Sequence, residues 1–359
     1  MNYQQFISPE TQFYQLSEPF ALESREVLSG VQVAYRTWGT LNAARDNAVL
    51  VCHALTGSAD VDRWWEPLLG SGRSLDIDLD FIICSNILGS CYGTTGATSI
   101  DPKTGTSYGS TFPRITIRDM VRLQAVLLEG LQVRSLKFVI GGSLGGMQVL
   151  EWAILYPEKV SAIAIIAASG CHSAWCIGLS EAQRQAIYAD PNWQNGSYSR
   201  QPAQGLATAR MMAMSLYRSW ASFSDRFGRQ TDEATFEIVN YLRHQGQKFV
   251  DRFDANTYIT LTHAMDSHDI AHHADYNVVL KRIHQPALIV AISSDGLYPP
   301  IEQEELATLI PNATLAWLQS THGHDAFLMD MTALNNLVVQ FRDSLQPSES
   351  MHCFSAAPF

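Results

Sequence analysis

The sequence predicts an α/β protein: a mostly parallel central sheet flanked by helices, with a helical lid inserted between its strands. Three observations carry that prediction. Short runs rich in Val, Ile and Phe alternate with helix-like stretches, the pattern of strands buried on both faces. That strand rhythm stops from about Cys171 to about Tyr276 and then resumes. Between the two, a serine crowded by four glycines, in Ile140–Glu151 "IGGSLGGMQVLE", sits where a strand should hand over to a helix.

Taken in order, Val31-Gln-Val-Ala-Tyr-Arg-Thr-Trp38 alternates as an antiparallel opening strand should. Near-continuous apolar runs follow at Ala48–Ala54, Phe81–Asn86, Leu136–Ile140, Val160–Ala167, Ala287–Ile292 and Leu315–Leu318. Met147–Tyr156 reads as the helix after the serine, stopped by Pro157. In the interruption, Gly205–Trp220, Ala234–Gln245 and Asn256–Met265 read as helices, with loop at Pro191–Gly196 and Ser197–Gln201. The expected division is a core of residues 1–170 and 280–345, a helical lid of 171–279 and a loosely ordered tail of 346–359.

Bulk properties exclude several functions. The net charge of -11, without a basic stripe, argues against a nucleic-acid surface. No apolar run approaches the length of a membrane span, and the first residues, MNYQQFISPETQFYQL, lack the basic and apolar regions of a secretory signal. Cys52 and Cys84 lie inside apolar runs as small core residues, and Cys171-x4-Cys176 has no second pair to complete a zinc site. A reduced, cytoplasmic protein without a metal is the expectation.

The glycine-rich segment admits two readings, a phosphate-cradling loop or a turn presenting a nucleophile. There is no lysine in residues 140–151 for a Walker loop, and Gly141 and Ser143 occupy the first two glycine positions of a dinucleotide fingerprint, which therefore fails. Gly141-Gly142-Ser143-Leu144-Gly145 does match Gly-x-Ser-x-Gly. In that turn the serine backbone is strained, and the residues two positions away must lack bulk so that strand and helix can approach. A bland glycine-rich turn is the alternative; the flanking strand and helix favour the nucleophile. The helix start also aims free N–H groups at charge developing beside Ser143.

A serine hydroxyl needs a base, and the base needs an acid to fix its tautomer. In sheets of this kind the chain order is Ser, then Asp or Glu, then His, each on a loop after a strand. Asp295 follows the run Ala287–Ile292, and His324 follows Leu315–Leu318, so both fit that grammar; the alternative is a surface acid and a surface histidine. His322, two residues from His324, is a rim or packing residue. The loop His53-Ala-Leu-Thr-Gly57 stands where a backbone N–H is lent to an oxyanion, pairing Leu55 with Leu144. His268, His272 and His273 have zinc-ligand spacing but no further ligand nearby, and a polar helix face is the expected reading.

His53–Gly57, Cys84-Ser-Asn-Ile-Leu-Gly89, Cys91-Tyr-Gly93, Thr116–Met120, Gly141–Trp152, Tyr241–Phe249, Arg252–Asn256 and Gly323-His-Asp-Ala-Phe327 together resemble the homoserine O-acetyltransferase family. The resemblance runs from about residue 10 to about residue 345. It implies an α/β-hydrolase fold with a helical lid, and acyl transfer from acetyl-CoA to L-homoserine in methionine synthesis. No permanently bound cofactor is implied. Ser143 would be the nucleophile, Asp295 the triad acid and His324 the base, while Arg210 and Asp325 would hold the amino-acid substrate. That pair suits homoserine, whose carboxylate and ammonium call for one guanidinium and one carboxylate. A homodimer through the lid is a further implication. Met211–Ser219 departs from the His-x-Thr-Tyr text of many bacterial relatives toward the cephalosporin-type acetyltransferases, which keeps other acceptors open. The rivals are the same chemistry with succinyl-CoA, serine or deacetylcephalosporin C, a plain esterase or lipase, and an inactive binding protein.

Overall fold

In this computed structural model residues 3–232 and 234–345 are described, and the expected tail of 346–359 lies outside them. An eight-stranded sheet organises the chain. Its strands are β1 (Gln12–Gln15), β2 (Gln32–Trp38), β3 (Ala48–Cys52), β4 (Phe81–Ser85), β5 (Leu136–Gly142), β6 (Ile163–Ile166), β7 (Ala287–Ile292) and β8 (Ala313–Leu318). The spatial order is β1-β2-β4-β3-β5-β6-β7-β8. β2 pairs antiparallel with both β1 and β4, and the six strands β3 through β8 form a parallel array.

The apolar runs form strands because both of their faces are covered. In β3, Leu50 and Cys52 join a core with Val139, Val149, Ile163 and Ile289. Val49 and Val51 join the opposite core with Phe138, Ile140, Leu334 and Val338. Successive side chains thus point to opposite layers, and a run with no polar position is what two covered faces demand. The helices flanking the sheet are α1 (Ile117–Gly130), α2 (Leu144–Leu155), α9 (Pro300–Leu309) and α10 (Met331–Ser344). α1 begins at a capping box, in which the Thr116 hydroxyl accepts from the Asp119 N–H and the Asp119 carboxylate accepts from the Thr116 N–H.

Between β6 and β7 the chain is helical, in α3 (Ala174–Tyr188), α4 (Ala203–Tyr217), α5 (Trp220–Phe227), α6 (Glu237–Arg252), α7 (Ala255–Asp266) and α8 (Tyr276–Leu280). Their buried residues Leu206, Phe249, Tyr258 and Leu261 form a third core with Leu144, Met147 and Tyr298. The helical segment is therefore packed on the C-terminal edge of the sheet.

Several boundaries differ from the sequence expectation. The strand expected over Val160–Ala167 is only Ile163–Ile166, because Val160 makes just an isolated bridge to Leu136. The helix expected from Met147 starts at Leu144, three residues earlier. The helix expected over Ala234–Gln245 is Glu237–Arg252, preceded by a two-stranded hairpin, Thr231–Asp232 with Thr235–Phe236, inside a segment read as strand-free. The stretch read as one helix to Trp220 breaks at Arg218, whose extended backbone (φ -104°, ψ 149°) separates α4 from α5. α3 was not among the helices read from sequence. No helix among the described residues is long and apolar enough to cross a membrane.

Candidate active site

Parallel strands end at one edge of a sheet, so the loops after β3, β5, β7 and β8 meet there. Ser143 follows β5 with φ 57° and ψ -126°, a conformation that side chains rarely adopt. The strain persists because strand and helix pack too closely to relax. A Cβ on Gly145 would lie 2.1 Å from the Cys52 carbonyl oxygen, and one on Gly141 would lie 2.5 Å from the Gly145 backbone. The serine is thus held at the tip of a turn, at the head of α2.

The structure brings Ser143, Asp295 and His324 together, all three buried. His324 Nε2 is 2.9 Å from Ser143 Oγ, and Nδ1 is 2.7 Å from Asp295 Oδ2. Asp295 Oδ1 accepts from the N–H groups of Leu297 (2.8 Å) and Tyr298 (3.0 Å). With both its oxygens occupied, the carboxylate fixes the tautomer in which Nδ1 donates and Nε2 accepts from the serine. Such a relay can remove a proton from Ser143 as it attacks an acyl carbon.

Burial alone would disfavour the imidazolium, but the Asp295 carboxylate, its hydrogen bond and the Asp325 charge outweigh it and raise the His324 pKa above its ordinary value. Only neutral imidazole can accept the serine proton. Acylation of Ser143 by p-nitrophenyl acetate is therefore expected to rise with pH, with a midpoint above the ordinary histidine value of about 6.5. A burst rate measured against pH checks this, and a midpoint below that value contradicts it.

Leu55, on the loop after β3, and Leu144, the first residue of α2, have main-chain N–H groups with no acceptor among the described residues. Open main-chain donors are what an oxyanion requires, and Leu144 adjoins Ser143 in the chain. The two segments are tied together by buried polar side chains. Trp152 Nε1 donates to Gln124 Oε1, Gln124 Nε2 to Gln148 Oε1, and Gln148 Nε2 to the carbonyls of His53 (3.2 Å) and Leu144 (3.3 Å). His53 is buried and neutral, its pKa pushed down to about 4 by desolvation. Its Nδ1 lies 2.8 Å from the Ala54 carbonyl, and its Nε2 accepts from the Ile87 N–H. From α6, Arg252 donates to the Thr56 carbonyl (3.0 Å) and to the Tyr92 hydroxyl (2.7 Å), bracing the same loop.

Arg210, on α4, and Asp325, next to His324 in the chain, make no ion pair with each other among the described residues. The Arg210 guanidinium sits over the rings of Phe249 (5.1 Å) and Tyr217 (5.5 Å). Burial raises the Asp325 pKa above its ordinary value, against the opposing charges of Arg218, His324 and Arg210. Asp325 instead pairs with Arg218, Nε to Oδ2 3.2 Å. The Tyr217 ring lies 5.8 Å from that of His324. Tyr217, Arg218 and the loop-bracing Arg252 were not assigned to the site from sequence. Tyr217 and Arg218 fall in Met211–Ser219, which departs from the text of many bacterial relatives, and Arg252 opens the motif Arg252–Asn256.

The histidines after α7 are not on a helix face, which corrects the sequence expectation. α7 ends at Asp266, and His272 and His273 take turn conformations with φ 44° and 72°. His272 Nε2 lies 3.1 Å from Glu151 Oε1, and His268 Nε2 lies 3.2 Å from the Ser169 carbonyl. Among the described residues no cluster of three His, Cys, Asp or Glu side chains has the geometry to hold a metal ion.

The family model described as alpha/beta hydrolase fold matches residues 47–330. Homoserine O-acetyltransferase from Trichormus variabilis is 69% identical over 349 residues, covering 96% of this chain and 97% of that protein. Its counterpart from Nostoc punctiforme is 70% identical over 349 residues, covering 95% and 98%. Among solved structures, esterase E22 superposes with a TM-score of 0.86 at 28% identity, covering 93% of this chain and 99% of that one. Homoserine O-acetyltransferase from Bacillus anthracis also gives 0.86, at 25% identity, covering 93% and 97%.

Proposed function

Because this chain belongs to the homoserine O-acetyltransferase family of the α/β-hydrolase fold, we propose that it moves an acetyl group from acetyl-CoA to the hydroxyl of L-homoserine through an acyl-Ser143 intermediate. The observation that carries this reading is the unbroken relay from Asp295 through His324 to Ser143.

In the first half-reaction His324 takes the Ser143 proton as Oγ attacks the thioester carbonyl. The N–H groups of Leu55 and Leu144 stabilise the tetrahedral oxyanion, the carbon–sulfur bond breaks, and the imidazolium protonates the leaving thiolate. In the second, homoserine enters, His324 takes the proton of its hydroxyl, and that oxygen attacks the acyl carbon. Collapse restores Ser143 Oγ–H and releases O-acetylhomoserine, so the kinetics are ping-pong. Acetyl-CoA is a consumed co-substrate, and no permanently bound cofactor takes part. The reading extends to a cytoplasmic homodimer formed through the helical segment, where Met212, Trp220 and Phe236 are exposed.

Water competes for the acyl-enzyme. A well-oriented hydroxyl reaches an effective molarity of about 10⁵–10⁸ M, far above that of liquid water. Orientation is the task assigned to Arg210 for the substrate carboxylate and to Asp325 for its ammonium. Arg210→Ala is expected to raise KM for homoserine by roughly 10- to 100-fold while Ser143 is still acylated by acetyl-CoA. If the acyl-enzyme burst vanishes with it, Arg210 does not belong to the acceptor site.

A plain esterase is the second reading, favoured by the likeness to esterase E22. Against it stand the Arg210 guanidinium, over the Tyr217 ring that lies near His324, and the Asp325 carboxylate next to His324 in the chain, charges that a neutral ester does not need. Intact-mass spectrometry separates the two. One acetyl group should appear on the protein with acetyl-CoA and leave when homoserine is added, with O-acetylhomoserine as product. Release to free acetate at an unchanged rate with or without homoserine identifies an esterase.

A further inference from the structure

The end of α4 is built into the histidine loop at several points. Ser219 Oγ donates to the Thr321 carbonyl. A Cβ on Gly323, whose φ is 73°, would lie 2.6 Å from the Ser219 nitrogen and 2.7 Å from the Arg218 carbonyl carbon. The two backbones are therefore in direct contact, and only glycine allows it. This contact delivers Arg218 to Asp325, with side chains 13% and 17% exposed, respectively. The far end of the guanidinium is held by Met329, whose Sδ faces Nη1.

The two arginines at this centre differ in what they touch. Arg218 is ion-paired inside the protein, whereas Arg210 rests on aromatic faces with no carboxylate bound to it among the described residues. One guanidinium is thus committed to Asp325 and the other is left for a carboxylate from outside. We propose that Arg218 is a positioning residue for the acceptor, holding the Asp325 carboxylate ionised and oriented toward the amino group of the incoming amino acid without touching the substrate itself. This rests on the reading of Asp325 as the ammonium partner.

The surroundings of Asp325 explain why such a residue is needed. Burial raises its pKa, and the Asp295 charge adds to that; Arg218 is the largest opposing influence, ahead of His324 and Arg210. The Tyr217 hydroxyl has its own pKa raised mainly by burial, and the Asp325 charge adds to that. Without Arg218, Asp325 tends to take up a proton and then has no charge to offer an ammonium. Ionised but unpaired, it would compete with Asp295 for the imidazole of His324.

The test compares wild type with Arg218→Met, Arg218→Lys and Asp325→Asn, using steady-state kinetics with homoserine across the neutral pH range and the burst from p-nitrophenyl acetate. Arg218→Met is expected to raise KM for homoserine roughly 10- to 100-fold at neutral pH, with a smaller effect on kcat. That defect should shrink as pH rises and Asp325 ionises unaided, and Arg218→Lys should recover much of the affinity. The burst reports whether the protein is folded and Ser143 is still acylated. An unchanged KM in Arg218→Met, with a raised one in Asp325→Asn, overturns the proposal and leaves the acceptor site standing. An unchanged KM in Asp325→Asn removes the acceptor reading as well. Loss of the burst in folded Arg218→Met assigns the arginine to the nucleophile and also overturns the proposal.

Discussion

Ser143→Ala is expected to lower turnover by roughly 10⁴-fold or more and to leave no acylated protein after mixing with acetyl-CoA. The substitution is clean. Alanine tolerates the backbone at φ 57° about as well as serine, and only the Oγ contact to His324 is lost. Thermal unfolding should therefore stay close to that of wild type. Asp295→Asn should cost a similar factor by another route. An amide that turns its NH₂ toward Nδ1 favours the tautomer in which Nε2 carries the proton, and that imidazole cannot accept one from serine. The double variant should be little worse than either single one, because the groups act as a unit. Turnover by Ser143→Ala at even a tenth of the wild-type rate, in a preparation free of wild type, would remove this serine from the reaction.

The second large effect is structural. Gly145→Ala should destabilise the protein by about 3 kcal/mol or more, at or above the usual range for overpacking. The reason is the identity of the obstacle. The new methyl meets the Cys52 carbonyl oxygen at 2.1 Å, and that atom belongs to β3, locked between β4 and β5. Relief requires α2 to move away from the sheet or the loop after Cys52 to shift, and that loop carries the Leu55 N–H. Any folded fraction should then lose about 10²- to 10³-fold in kcat through a displaced oxyanion donor. Gly178→Ala is the control. Nothing lies within 4 Å of its Cβ, and it sits in the interior of α3, so stability should rise by about 0.5–1 kcal/mol. Equal stability of the two variants, measured by chemical denaturation, would show that the close approach at Gly145 is not real.

What could be read from the sequence follows from how local each signal is. Ala48–Cys52 and Ala287–Ile292 are legible because each strand, buried on both faces, must be apolar throughout. The turn at Ser143 is legible because close packing leaves glycine at fixed offsets. α3 was not recognised: its buried residues include Ser180, Gln183 and Arg184, so no apolar stripe announces it. The partner of Asp325 was missed for another reason. Arg218 and Asp325 are distant in sequence, and only the backbone contact at Gly323 makes them neighbours. The histidines after Asp266 were misplaced because (i, i+4) spacing implies a helix only where the chain is helical, and here it turns through two residues of positive φ. Ser143, Asp295 and His324 are legible through loop grammar, whereas Tyr217, Arg218 and Arg252 come from the helical segment, which has no such grammar.

The contact between Gly323 and the end of α4 also bears on traffic through the enzyme. A cover that swung open as one piece would have to part Ser219 from Thr321 and Arg218 from Asp325, or else carry the His324 loop along with it. Cargo exchange on every cycle must therefore use a standing doorway or a hinge elsewhere. The end of α4 and the loop that carries His324 are then one rigid piece.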